Sequence, residues 1–159
     1  LGRRALHSLA ALDAQFVGSA GRWPDIAQAL CKEKCIKPEA VKGAQLLWAY
    51  GHLIGNPDMH PGNLSFMAEH GRPYDLAPAY DMTPMAFAPQ SGGGLPQDMA
   101  APHVAQQVPP AAWQQALPLA QRYVQAVQQK EGWSPRFAPC IAALQKHVED
   151  ARWRIERLA

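Results

Sequence analysis

Ile54-Gly55-Asn56-Pro57-Asp58-Met59-His60-Pro61-Gly62-Asn63-Leu64-Ser65-Phe66 is the stretch on which the reading turns, and Tyr80-Asp81-Met82 closes it further on. Elsewhere the chain is rich in Ala, Leu, Gln and Pro, yet both of its asparagines fall inside this run. Pro57, Pro61 and Gly62 keep the run from being helical. Asp58 and Asn63 therefore sit five residues apart on a loop.

Upstream of the loop, three helices are predicted. Ala5, Leu6, Leu9, Leu12 and Phe16 recur at three- and four-residue steps, so Arg3 to Val17 reads as one amphipathic helix, ended by Gly18-Ser19-Ala20-Gly21. Pro24 suits a first helical turn and Asp25 favours the positive end of the helix dipole, which predicts a short helix to about Lys34. Pro38-Glu39 opens a third helix through Trp48 and Tyr50 to Leu53. It is the most apolar of the set, is placed at the centre of the core, and leads directly to Asp58.

Downstream the pattern changes. Leu64 to Met67 and Pro73 to Leu76 read as two strands around a turn at Glu69-His70-Gly71-Arg72. Such a hairpin would return Asp81 to the side of Asp58 and Asn63. Thr83 to Pro110 is a long loop carrying many prolines and Gly92-Gly93-Gly94, which lacks the GxGxxG phosphate-binding pattern. Pro109-Pro110 introduces a helix to about Lys130 with Trp113, Leu117, Ala120, Val124 and Val127 as its apolar stripe. Ser134 and Pro135 open a last helix to Leu158, with Phe137, Ile141, Leu144, Val148 and Ile155 inward. The fold class is mainly α with one small β-hairpin.

The totals narrow the function. The chain has 159 residues, enough for one domain with a real core. A net charge of +2 gives no electrostatic case for nucleic acid or membrane binding. Arg152, Arg154 and Arg157 read as a solvated helix face. Three cysteines, Cys31, Cys35 and Cys140, suggest a reducing compartment, and hence the cytoplasm, with buried thiols and no zinc site. No apolar run reaches membrane-spanning length and no signal peptide is visible. The chain begins at Leu1, which predicts a fragment of a longer protein.

An aspartate followed five residues later by an asparagine is the core of a phosphoryl-transfer loop, in which the Asp takes the proton of the attacking hydroxyl and the Asn holds magnesium. Two polar residues at this spacing also occur by chance, as a turn bonded to its own backbone. The buried helix before the pair, the hairpin after it and the acid at Asp81 favour the catalytic reading. Phosphoryl transfer needs an in-line nucleophile and neutralised phosphate charge more than covalent help. Asp58 is assigned as the base, Asn63 and Asp81 as oxygen ligands to magnesium. His60 is a candidate phosphate or nucleotide contact or an orienter of the loop, and a histidine bonded to nearby backbone fits it equally well. Asp75 is expected to face solvent, His52 to be a satisfied core residue, and Tyr80 to pack against the loop.

Leu53 to Phe66 together with Leu76 to Pro84 resemble the HipA-like serine/threonine kinase family, bacterial proteins typified by the kinase toxin of a toxin–antitoxin pair, and look closest to its YjjJ-type branch. The resemblance spans most of the chain, whose helices fit the family's C-terminal lobe. It implies a kinase-like fold, ATP and Mg2+ as cofactors, a protein Ser or Thr as substrate, Asp58 as catalytic base, and Asn63 and Asp81 as metal ligands. It also implies an antitoxin or DNA-binding partner acting through the full-length protein, with no direct nucleic-acid binding by this part. The sequence departs from the family pattern at Gly62, where a basic residue is common. Met82 stands where the protein-kinase DFG signature has Phe.

No Gly-rich phosphate lid and no strand-borne lysine of the V-A-I-K type occur in the chain. The expectation is therefore one domain, residues 1–159, forming the C-terminal lobe of a longer kinase, without the N-terminal nucleotide-clamping lobe. Alone it should bind ATP weakly and be nearly inactive. Two other classes fit the same residues: a non-catalytic, pseudokinase-like partner-binding or regulatory module, and a small-molecule phosphotransferase.

Overall fold

The computed structural model describes residues 5–104 and 108–158. They carry β1 (Leu6–Ser8), α1 (Leu9–Phe16), α2 (Trp23–Lys32), α3 (Pro38–Leu53), β2 (Ser65–Met67), β3 (Asp75–Leu76), α4 (Pro110–Gln129) and α5 (Ala138–Ile155). The mainly helical class with a small antiparallel sheet is therefore as expected. The chain divides into two compact units, one of residues 1–48 and 59–81, the other of residues 49–58 and 82–159.

In the first unit the hairpin forms, with Phe66 opposite Leu76 and Met67 opposite Asp75. Phe66 is fully buried, while Asp75 on the return strand is exposed, the alternation that a half-buried hairpin requires. Gly43 of α3 permits the close approach of β3: a Cβ there would stand 2.5 Å from Leu76 Cδ2.

The N-terminal helix is shorter than its periodicity predicts. Helix α1 starts only at Leu9, and Leu6–Ser8 pairs antiparallel with β2, Leu6 opposite Met67 and Ser8 opposite Ser65. Arg3, the predicted start, lies outside the described residues. The reason is twofold. Ser8 caps α1, its hydroxyl accepting from the Ala11 N–H at 3.2 Å. The segment before the cap then completes the sheet edge, and Leu6 stays half exposed.

Helices α1 and α2 pack together, with Leu9 of α1 and Trp23, Ile26 and Leu30 of α2 buried, and the Trp23 and Trp48 rings meet at 5.8 Å in a tilted arrangement. Asp13, a buried carboxylate, holds the turn after α1 closed. It accepts from the Ser19 N–H (3.0 Å), the Ser19 hydroxyl (3.1 Å) and the Ala20 N–H (2.8 Å).

In the second unit α4 packs against α5. Trp113, Ala116, Ala120 and Val124 face inward on α4, as do Cys140, Leu144, Val148, Ala151 and Ile155 on α5. The last helix does not begin at Ser134 as predicted. Ser134 caps a single 3₁₀ turn, Pro135–Phe137, and the α-helix starts at Ala138. Pro139 has no N–H to bond back to Pro135, so the α ladder cannot extend further upstream. The long segment after Thr83 is tied to α5 by side chains. The Cys140 thiol donates to the Pro96 carbonyl at 3.2 Å, and His147 Nδ1 lies 3.1 Å from the Ala100 carbonyl. Positions 105–107 of that segment are outside the described residues.

Candidate active site

The loop begins with the way α3 ends. Gly55, at φ +75°, donates its N–H to the His52 carbonyl (3.2 Å), and the Asn56 N–H reaches back to Gly51 (2.8 Å). This pair of bonds is a Schellman stop, which needs a left-handed residue at the position of Gly55. It delivers Asn56 to a buried place, 2 % exposed. From there the Asn56 side-chain oxygen accepts the Asp58 N–H at 3.0 Å, closing an Asx turn over Pro57. Asp58 itself is exposed. All of this belongs to the second unit.

Met59 opens the other half of the loop, which belongs to the first unit. The His60 carbonyl accepts from Trp23 Nε1 at 2.9 Å, which ties the loop to the core of that unit. His60 Nδ1 accepts the Gly62 N–H at 3.0 Å. His60 is thus a histidine bonded to nearby backbone. An accepting Nδ1 places the proton of the neutral ring on Nε2, which is then a donor. Gly62 leaves room for the His60 ring: a Cβ there would come within 2.7 Å of His60 Cε1. A basic side chain at this point would displace the His60 ring. Pro61–Asn63 then makes one 3₁₀ turn, and β2 follows.

Asp81 lies in the same unit as Asn63. After β3 the Ala77 N–H bonds the Ser65 carbonyl at 2.9 Å, the last rung of the hairpin. Tyr80 then returns to the loop: its hydroxyl donates to the Gly62 carbonyl at 2.6 Å and lies 2.9 Å from Ser65 Oγ. The residue before Asp81 thus touches the residue before Asn63. Asp81 adopts φ +54°, a left-handed conformation that Asp tolerates better than most residues and that is uncommon outside glycine. Asp58 belongs to the second unit, joined to Asn63 by the five-residue spacing of the loop.

Asp75 is exposed and pairs with Lys37 at 2.8 Å, so it stays a surface residue. Burial, and then His103 and His147, lower the pKa of His52 to about 4, as for a neutral core histidine. Asn56 and Ser65 are the residues whose roles sequence reasoning missed. For Asn56 the signal was present, since Asn-Pro-Asp is an Asx-turn pattern. For Ser65 no local pattern exists, because its partner is fifteen residues away. Among the described residues no group of three His, Cys, Asp or Glu side chains forms a metal cluster, and no helix is long and apolar enough to cross a membrane. The side chains of Asn63 and Asp81 offer oxygen donors, which would suit magnesium better than a soft metal.

A family model described as "HipA-like C-terminal domain" matches residues 5–151. The chain is 34% identical over 157 residues to a protein named Toxin YjjJ from Escherichia coli (strain K12). That match covers 99% of this chain and 35% of the relative, so the chain spans about a third of the relative's length. With the model matching nearly its whole length, this chain belongs to the HipA-like C-terminal domain family.

Proposed function

We propose that this chain supplies the catalytic base and the metal ligands for ATP- and magnesium-dependent phosphoryl transfer to a protein serine or threonine, as the C-terminal lobe of a longer HipA-like kinase in a toxin–antitoxin setting. The observation that carries the proposal is the Tyr80–Gly62 hydrogen bond, which brings the Asp81 and Asn63 segments together within one unit. Membership of the HipA-like family and the name of the relative support the same reading.

In this mechanism Asp58 accepts a hydrogen bond from the substrate hydroxyl and orients its oxygen toward the γ-phosphorus. As the new O–P bond forms, the bond from the γ-phosphorus to the β,γ-bridging oxygen breaks. ADP leaves, and the hydroxyl proton passes to the Asp58 carboxylate. The exposure of Asp58 suits a base that must reach a macromolecular substrate, and the Asx turn at Asn56 holds its backbone. Asn63 would hold magnesium through its side-chain oxygen and Asp81 through its carboxylate, and the bound ion would offset phosphate charge. His60, with its proton on Nε2, donates to a phosphate oxygen. Its wall of the first unit is open: His60, Pro61 and Gly62 border a depression of about 450 Å³.

The test is transfer of labelled phosphate from ATP by the full-length gene product with magnesium. Asp58→Ala and Asp81→Ala should each lower incorporation by roughly a hundredfold or more. Equal incorporation in all three proteins would sink the assignment.

A further inference from the structure

The Tyr80 hydroxyl lies between two oxygens, 2.6 Å from the Gly62 carbonyl and 2.9 Å from Ser65 Oγ. A phenol has one proton, and a carbonyl can only accept. The Tyr80 proton therefore points at Gly62, and Ser65 must donate its own proton to the Tyr80 oxygen. The polarity of the chain follows: Ser65 hydroxyl to Tyr80 hydroxyl to Gly62 carbonyl. Ser65 is 7 % exposed, so one end of this chain is anchored in the core of the first unit, while the Tyr80 residue remains 40 % exposed. Apolar burial alone does not account for an aromatic residue left so open. Its hydroxyl contacts do.

The three residues flank the proposed metal ligands. Gly62 precedes Asn63, Ser65 follows it by two, and Tyr80 precedes Asp81. Pairing between the strands ends at Ala77, so the segment that carries Asp81 has left the sheet. Asp81 also holds a left-handed backbone, uncommon outside glycine though more readily adopted by Asp than by most residues. Tyr80, the residue before it, has a bond back to the loop.

We propose that the Ser65–Tyr80–Gly62 hydrogen-bond chain is a positioning device that sets Asp81 against Asn63 and so determines how tightly the site holds its divalent cation. The proposal rests on the assignment of Asn63 and Asp81 as ligands. Tyr80 and Ser65 act through those residues and are not themselves catalytic.

The test is Mn2+ binding by the full-length gene product, followed by electron paramagnetic resonance with a non-hydrolysable ATP analogue and accompanied by thermal melts. Tyr80→Phe should weaken Mn2+ binding about tenfold, the usual effect of removing a partner outside the first ligand shell. Ser65→Ala should weaken it less, roughly threefold, because Tyr80 can still bond Gly62. The metal concentration for half-maximal phosphoryl transfer should rise by the same factors. Wild-type Mn2+ affinity in Tyr80→Phe would overturn the proposal, whatever the melting temperature, since a purely structural role shifts only the melt. Asn63→Ala and Asp81→Ala separate the two levels. If they lose Mn2+ while Tyr80→Phe keeps it, the positioning device alone fails. If they also keep it, the ligand assignment fails with it.

Discussion

Asn56 shows how one buried side chain can govern an exposed one. It is 2 % exposed, and its oxygen meets the Asp58 N–H at 3.0 Å. Asn56→Ala removes that acceptor and leaves a cavity. A stability loss of about 1–3 kcal/mol is expected, read from urea denaturation. If Asp58 is the base, the same variant should lower kcat at least tenfold with little change in the KM for ATP, since misplaced catalytic groups cost rate more than ground-state binding. Unchanged kcat would separate the Asx turn from catalysis. Asp58, Asn63 and their spacing could be read from the sequence because the loop is local and its prolines and glycine announce it. The function of Asn56 depends on its burial, which spacing does not encode.

At the scale of elements, the stop of α3 aims the loop. Gly55 at φ +75° makes the Schellman bonds, and a Cβ there would press on the Met99 Cε methyl and lie 3.4 Å from Ala86 Cβ. Gly55→Ala should therefore cost roughly 1–2 kcal/mol from the left-handed backbone alone, with more from the contact. A urea titration with unchanged m-value would register it, and a neutral result would contradict the Schellman assignment. Helix α3 was legible from its start at Pro38 to its end at Leu53, where the apolar run gives way to the polar loop. Strand β1 was not, since Leu6, Leu9 and Leu12 satisfy a helical repeat equally well. What moved Leu6–Ser8 into the sheet was pairing with residues about sixty positions away, together with the Ser8 cap.

Across the whole molecule, two units share the chain, which passes from one to the other after Trp48, after Asp58 and after Asp81. Stability of the second unit should carry a pH signature from His52. Its pKa falls from the ordinary 6.5 to about 4, first through burial and then through His103 and His147. The folded state thus binds the proton more weakly than the unfolded chain. The contribution is fully present above about pH 6.5 and is lost as pH falls toward 4. His52→Gln should flatten that part of a stability-against-pH curve, and an unaltered slope between pH 6.5 and 4 would exclude His52 as its source. Composition, helical periodicity and the proline, glycine and cap signals were enough to establish a mainly helical chain with one hairpin and a polar loop after its most apolar helix. These are short-range properties, expressed within a turn or two of backbone. Strand β1, the burial of Asn56 and the Tyr80 bond to Gly62 required the folded chain. Each depends on hydrogen bonding or packing whose partners no local repeat specifies, and chain folding alone brings those partners within bonding distance.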